Sequence, residues 1–231
     1  MLFLCFLVNE FMNIYHGSKQ VVDHPTLGGS NPHNDYGPSF YMTTDLNQAK
    51  SWACKNGTAG VVNQYRIDER RWDFLKILDL TCKDSFSVLN WIAILMHFRK
   101  LEISFERRNK PALEWLSKYF IDVREYDVVI GFRADDSYFR FPSSFVSGEL
   151  SLDDLEEIFL LGDLGKQYAF MSQKALNALH FDRVIPCEEE YVGRYYSIVS
   201  KATAKFNEVL NWPRSPDKTY VLDLMRKDHV R

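Results

Sequence analysis

DYGPSFYMTTDLNQAKSWA, residues 35–53, sets a turn, a strand and a helix end to end. Asp35, Gly37, Pro38 and Ser39 supply turn chemistry: side-chain acceptors, a residue free to take positive φ and one with φ already set. The aromatic and β-branched residues of Phe40-Tyr41-Met42-Thr43 then predict a short strand. Thr44 or Asp45 serves as a helix N-cap with Gln48 at capping-box distance. Leu46, Ala49, Trp52 and Ala53 recur at helical spacing on one face. A junction this tight holds side chains in fixed relation and is a favoured place for a site.

Upstream, Ile14 to Ser18 reads as a first strand containing Tyr15-His16-Gly17-Ser18. Lys19 to Asn34, with Gly28, Gly29 and Pro32, is a polar loop that either covers a ligand or merely connects. Downstream, Gly60 to Ile67 alternates as a strand, and Trp72 to Leu80 reads as a strand or strand pair. Lys83 to Phe120 changes character. A helix capped by Asp84 or Ser85 runs through Phe98 with Val88, Leu89, Ile92, Leu95 and Met96 at its apolar positions. A second helix is expected with Pro111 in its first turn. This block reads as an insertion that packs against the sheet, or as a partner surface marked by Arg107, Arg108 and Lys110.

Tyr126 to Asp136 (YDVVIGFRADD) predicts a buried strand through Val128-Val129-Ile130. It ends in Asp135 and Asp136, which serve as turn formers or caps, or as paired carboxylates that stabilise a cation or orient a hydroxyl. Ser151 with Asp154 caps a helix, and Leu164 to Met171 reads as a strand followed by a helix capped by Ser172 and running through Leu179. Glu188-Glu189-Glu190 reads as a solvated charge run. Tyr191 to Leu210 is helical, Asn211-Trp212-Pro213 ends it, and Tyr220 to Met225 is a short strand or helix.

At 231 residues, 46% apolar and 15% aromatic, the chain can bury one core or a core plus a subdomain. A net charge of −3 excludes a global basic field, leaving nucleic acid to a local patch at most. Cys5, Cys54, Cys82 and Cys187 lack metal-ligand spacing and suit a reducing cytoplasm, so no metal site is expected. Met1 to Phe11 is apolar but has no basic n-region or cleavage site and is too short for a bilayer. It is expected to be an upstream start before Met12, or a short added strand or helix. Residues 12–231 then form one cytoplasmic domain with no membrane partner. There is no P-loop, Rossmann fingerprint, HExxH or internal repeat.

YHGS, then the Gly-containing turn, FYxTT and QAxxWA together resemble the DUF3990 group of ADP-ribosyltransferase-like proteins, related to the poly(ADP-ribose) polymerase catalytic domain. The resemblance implies an α+β domain with a split, mostly antiparallel sheet and a helical insertion at about 83–120. It implies NAD as substrate, gripped by His16, Gly17 and Ser18. Tyr41, with Thr43 nearby, would stack on the nicotinamide, and Trp52, eleven positions on, would close the other side. Ser39 stands where the related turn usually has Gly. On the strand carrying Gln167-Tyr168 the polymerase relatives have Glu. An amide can hydrogen-bond a ribose hydroxyl but cannot act as a base, so transfer of single ADP-ribose units is expected. Asp135 or Asp136 would supply the missing charge.

The resulting expectation is a mono-ADP-ribosyltransferase acting as a bacterial toxin or defence effector. Its acceptor would be protein or nucleic acid, and a protein antitoxin would be its partner. Alternatives are a non-catalytic NAD or ADP-ribose binding module and an NAD glycohydrolase. A nucleic-acid-acting member would need a basic track drawn from Arg66, Arg70, Arg71, Arg107, Arg108 and Arg133.

Overall fold

The computed structural model of the chain describes residues 11–55, 57–134, 138–160, 165–188 and 190–229. The expectation for Met1 to Phe11 lies, all but Phe11, outside them. Among the described residues seven strands form: β1 (Phe11–Ser18), β2 (Phe40–Met42), β3 (Val61–Asp68), β4 (Ile77–Asp79), β5 (Val128–Phe132), β6 (Lys166–Phe170) and β7 (Leu179–Pro186). One sheet has the order β1-β3-β7 and is antiparallel throughout. The other has the order β2-β6-β5-β4 and is mixed, because β4 and β5 run parallel.

Side-chain parity on β5 and β6 decides the layering. Successive strand residues point to opposite faces, and here both faces are covered. Val128, Ile130 and Phe170 join Ile14, Met42, Tyr65 and Ile67 in a core between the two sheets. Val129 and Ala169 face the other way, into a larger core with Leu78, Trp91, Ile92 and Leu95. That core lies beneath helices α3 (Val88–Phe98) and α4 (Ile103–Leu116), which follow α1 (Leu46–Ala53) and α2 (Glu69–Trp72). The remaining helices are α5 (Arg140–Val146), α6 (Leu152–Leu160), α7 (Gln173–Leu176), α8 (Glu190–Leu210) and α9 (Val221–His229).

The helical block expected as an insertion is the crossover of a parallel pair. β4 and β5 can run side by side only if the chain returns to its starting end, and α3 and α4 make that return. Its details differ from expectation. Ser87 is the N-cap of α3, because Cys82 to Phe86 closes turns of its own and Ser87 N donates to Asn90 Oδ1 at 3.0 Å. Pro111 lies inside α4, which begins at Ile103 and buries only Ala112 and Leu116. Of Trp72 to Leu80, only Ile77–Asp79 pairs as strand, and Trp72 ends α2. The helix expected from Ser172 through Leu179 is a single turn, after which β7 pairs with β3 along its length; tertiary pairing outweighs the local cap. Val221–His229 is a helix. The Ser151 cap is present, with Asp154 N donating to Ser151 Oγ at 3.0 Å.

On the outer face of the first sheet, α1 packs Ala49 and Ala53 over Val62. Asp45 caps it, accepting from Asn47 N at 2.8 Å and Gln48 N at 3.3 Å, while Gln48 turns to Thr43 Oγ1 instead of closing a capping box. Contact is closest at Gly17, where a Cβ would sit 1.9 Å from Ala49 O and 2.8 Å from Ala53 N. Gly17→Ala must therefore push α1 outward, at a cost of about 1–3 kcal/mol. A thermal melt matching the wild type would refute this close seating. Among the described residues, no helix is long and apolar enough to cross a membrane, and Cys54, Cys82 and Cys187 are free thiols.

Candidate functional site

Beyond the core they share, a backbone bridge joins the two sheets among the described residues. Tyr15 N donates to Thr43 O at 2.8 Å, and Thr43 N returns a bond to Tyr15 O at 2.9 Å. One residue further along β1, a side chain takes over: His16 Nδ1 lies 2.8 Å from Tyr41 O. Beside this junction is a cleft of about 520 Å³, lined by His16, Gly17, Tyr41, Trp52, Arg133 and Gln167 among others. Parity explains part of the convergence. Tyr41 pairs with Ala169, so Tyr41, Ala169 and Gln167 share one face of neighbouring strands. α1 brings Trp52 across from the other sheet.

The carbonyl of Tyr41 can only accept, so His16 Nδ1 carries the proton and Nε2 is left as an acceptor. The imidazole packs on Phe40 with ring centroids 4.2 Å apart. Burial lowers its pKa below the ordinary 6.5, so the folded protein favours the neutral ring. A depressed histidine pKa contributes stability that is present above about pH 6.5 and is lost as pH falls. Between about pH 7 and about pH 5 the wild type should lose more stability than His16→Gln. Parallel melting curves across this range would refute the assignment.

The turn before β2 is tied down from several sides. Gly37 takes φ +80°, a conformation that Gly adopts without strain. Tyr41 Oη donates to Gly37 O at 2.8 Å and accepts from Tyr36 N at 3.0 Å. Burial pushes the Tyr41 hydroxyl well above its ordinary pKa, so it stays protonated and available as a donor. Ser39, buried in the turn, reaches Gly37 O at 3.4 Å. Tyr36 is fully buried and donates to Phe132 O at 2.8 Å.

In the sequence Asp35 reads only as a turn former. Its carboxylate is 6% exposed, lines the cleft, and accepts from Gln167 Nε2 at 2.7 Å and Ala134 N at 2.8 Å. Arg99, at the C-terminal end of α3, pairs with it at 3.4 Å. Arg99 carries no mark in the sequence, because only the crossover brings the end of α3 to the turn. Arg133 lines the same cleft with its guanidinium 5.8 Å from the Trp52 ring centroid. With Lys55, these groups make three cationic side chains and the Asp35 carboxylate among the described residues that line the cleft.

Not every expected residue reaches the cleft. Thr43 is buried, bonded to Gln48 and to Asp45 N, and holds the start of α1. Ser18 accepts from Asn63 Nδ2 at 2.9 Å and donates to Gln20 O, bracing the loop instead of lining the cleft. Asp135 and Asp136 lie outside the described residues. Glu188 pairs with Lys50 at 2.8 Å and ties the end of β7 to α1; Glu190 opens α8, and Glu189 lies outside the described residues. The loop before the turn forms a wall, with Gln20, Val22, Thr26, Gly29, Ser30 and Asn34 against the cleft. It is anchored by Val22 N to Asn63 Oδ1 at 2.8 Å.

Of the arginines considered for a nucleic-acid track, Arg133 is in the cleft, Arg66 pairs with Asp182 on the first sheet at 2.9 Å, Arg71 reaches Asn177 O, and Arg107 lies in a groove between α3 and α4. Among the described residues, no group of three or more His, Cys, Asp or Glu could hold a metal ion.

The cleft and most of both sheets fall within residues 12–181, which match the family model described as a protein of unknown function (DUF3990). The chain belongs to the DUF3990 family. No curated protein and no solved structure matches it.

Proposed function

We propose that this protein is an NAD-dependent mono-ADP-ribosyltransferase. One observation carries the reading. His16, Gly17, Tyr41, Trp52 and Gln167, drawn from three separate stretches of sequence, line a single cleft. In this reading NAD lies bent in the cleft, with its nicotinamide between Tyr41 and Trp52. His16 Nε2 accepts from a ribose hydroxyl, and the Gly17 backbone holds the carboxamide. Arg133 and Lys55 offer positive charge to the diphosphate. The fold would be of the ADP-ribosyltransferase type, with its split at the Tyr15–Thr43 bridge.

The family resemblance adds a cytoplasmic toxin or defence role, an acceptor on protein or nucleic acid, and a protein antitoxin. A second reading, a binding module that holds NAD without consuming it, draws support from Gln167, which brings no charge of its own.

The test is incubation of the purified protein with NAD labelled in the adenylate half, alone and with lysate, beside His16→Ala. Label transferred to a macromolecule by the wild type, and about 100-fold less by the variant, is the expected result. Nicotinamide release without transfer would make it a glycohydrolase. NAD binding without turnover would make it a binding module.

A further inference from the structure

We propose that Asp35 is a positioning residue that orients and polarises Gln167, so that the amide oxygen does the electrostatic work of the carboxylate this strand lacks. The inference rests on the reading of the cleft as an NAD site. Gln167 Nε2 donates to Asp35 Oδ2 at 2.7 Å and to Phe132 O at 3.3 Å. Both partners can only accept, so the nitrogen must face them and both of its N–H groups are engaged. Oε1 is then the amide atom left for a ligand in the cleft that Gln167 lines. Asp35 is itself fixed by Ala134 N at 2.8 Å and Arg99 at 3.4 Å, so it presents one oxygen to the amide in a set direction.

A carboxylate on an amide N–H forms a short, charge-assisted bond and draws electron density toward the amide oxygen. In the transfer step the C1′–N bond breaks and both its electrons go to the nicotinamide nitrogen, which leaves neutral. C1′ takes a lone pair from the acceptor nucleophile, whose proton passes to solvent. Between these events the ribose is cationic. A more negative Oε1 stabilises that charge and accepts from a ribose hydroxyl. Asp35 touches neither; it acts through Gln167.

The test compares the wild type, Asp35→Asn, Gln167→Glu and the double variant for nicotinamide release and NAD affinity. Asp35→Asn keeps the shape and loses the charge. Its kcat is expected to fall roughly tenfold with KM within about twofold, the gap between a charged and a neutral hydrogen bond. Gln167→Glu alone sets two carboxylates against each other and should lower NAD affinity. The double variant puts one carboxylate at the ribose with a neutral neighbour and should recover wild-type kcat.

An Asp35→Asn loss confined to KM, or one that Gln167→Glu does not rescue, overturns the inference. Either leaves the NAD reading standing. A wild type that neither binds nor cleaves NAD overturns that reading and the inference with it. One measurement needs no Asp35 variant: the Gln167 side-chain amide protons, assigned by their loss in Gln167→Glu, should differ widely, with one far downfield. Two ordinary amide shifts overturn the inference.

Discussion

Trp91→Ala should lower the stability of the chain by about 3–5 kcal/mol, the cost of emptying a fully packed indole site. At about 2–4 °C per kcal/mol for a chain of this size, the melting point should fall by roughly 10 °C. Trp91 is 2% exposed on the inner face of α3, in the core between the crossover helices and the mixed sheet. Its Nε1 donates to Tyr36 Oη at 3.0 Å and to Phe132 O at 3.2 Å. The indole therefore links α3, the turn that carries Asp35, and the end of β5. Tyr36→Phe is the control. It removes one hydroxyl, leaves Trp91 Nε1 its bond to Phe132 O, and should cost about 1–2 kcal/mol. Chemical unfolding of the three proteins checks both values. A Trp91→Ala loss below that of Tyr36→Phe would show that the indole does not bind these elements together.

That network separates what was legible in the sequence from what was not. Local signals were clear where side-chain periodicity and caps act alone. The turn, strand and helix of residues 35–53 are present with Asp45 as cap. Val128 to Ile130 is a buried strand, and Ser151 caps α6. Some of the errors fall where partners far along the chain decide. Leu179–Pro186 reads as the tail of a helix until β3 is beside it. Pro111 looks like a helix start, yet α4 opens at Ile103 and runs through it. The parallel pairing of β4 with β5 carries no local mark, since it depends on where a long crossover returns.

The candidate site divides the same way. His16, Gly17, Tyr41, Trp52 and Gln167 could be named in sequence because the short stretches that carry them resemble those of the DUF3990 group. Asp35 could not be given its role. In a turn, Asp ordinarily bonds its own backbone, and only the fold places it against Gln167, across 132 positions of chain. Asp135 and Asp136, expected to supply the missing charge, lie outside the described residues; the carboxylate that meets Gln167 among the described ones is that of Asp35. Arg99 and Asp35 are likewise brought together only by the crossover.

Tyr41→Ala should reduce kcat/KM for NAD on the order of 100–1,000-fold, the largest activity loss expected at any single position. Two contributions add. In the proposed pose the ring offers a flat apolar face to the nicotinamide, and losing an aromatic contact of this kind forfeits both buried area and stacking, together about 3–4 kcal/mol. The hydroxyl also ties the turn, bridging Gly37 O and Tyr36 N, so its loss loosens the segment that holds Asp35. Tyr41→Phe separates the two. It keeps the face and drops the bridge, leaving Tyr36 N without its phenol partner, and should cost roughly tenfold, mainly in kcat. Steady-state nicotinamide release with both variants is the measurement. If Tyr41→Ala turned NAD over as fast as Tyr41→Phe, the ring would not meet the nicotinamide, and the pose built on Tyr41 and Trp52 would have to be abandoned.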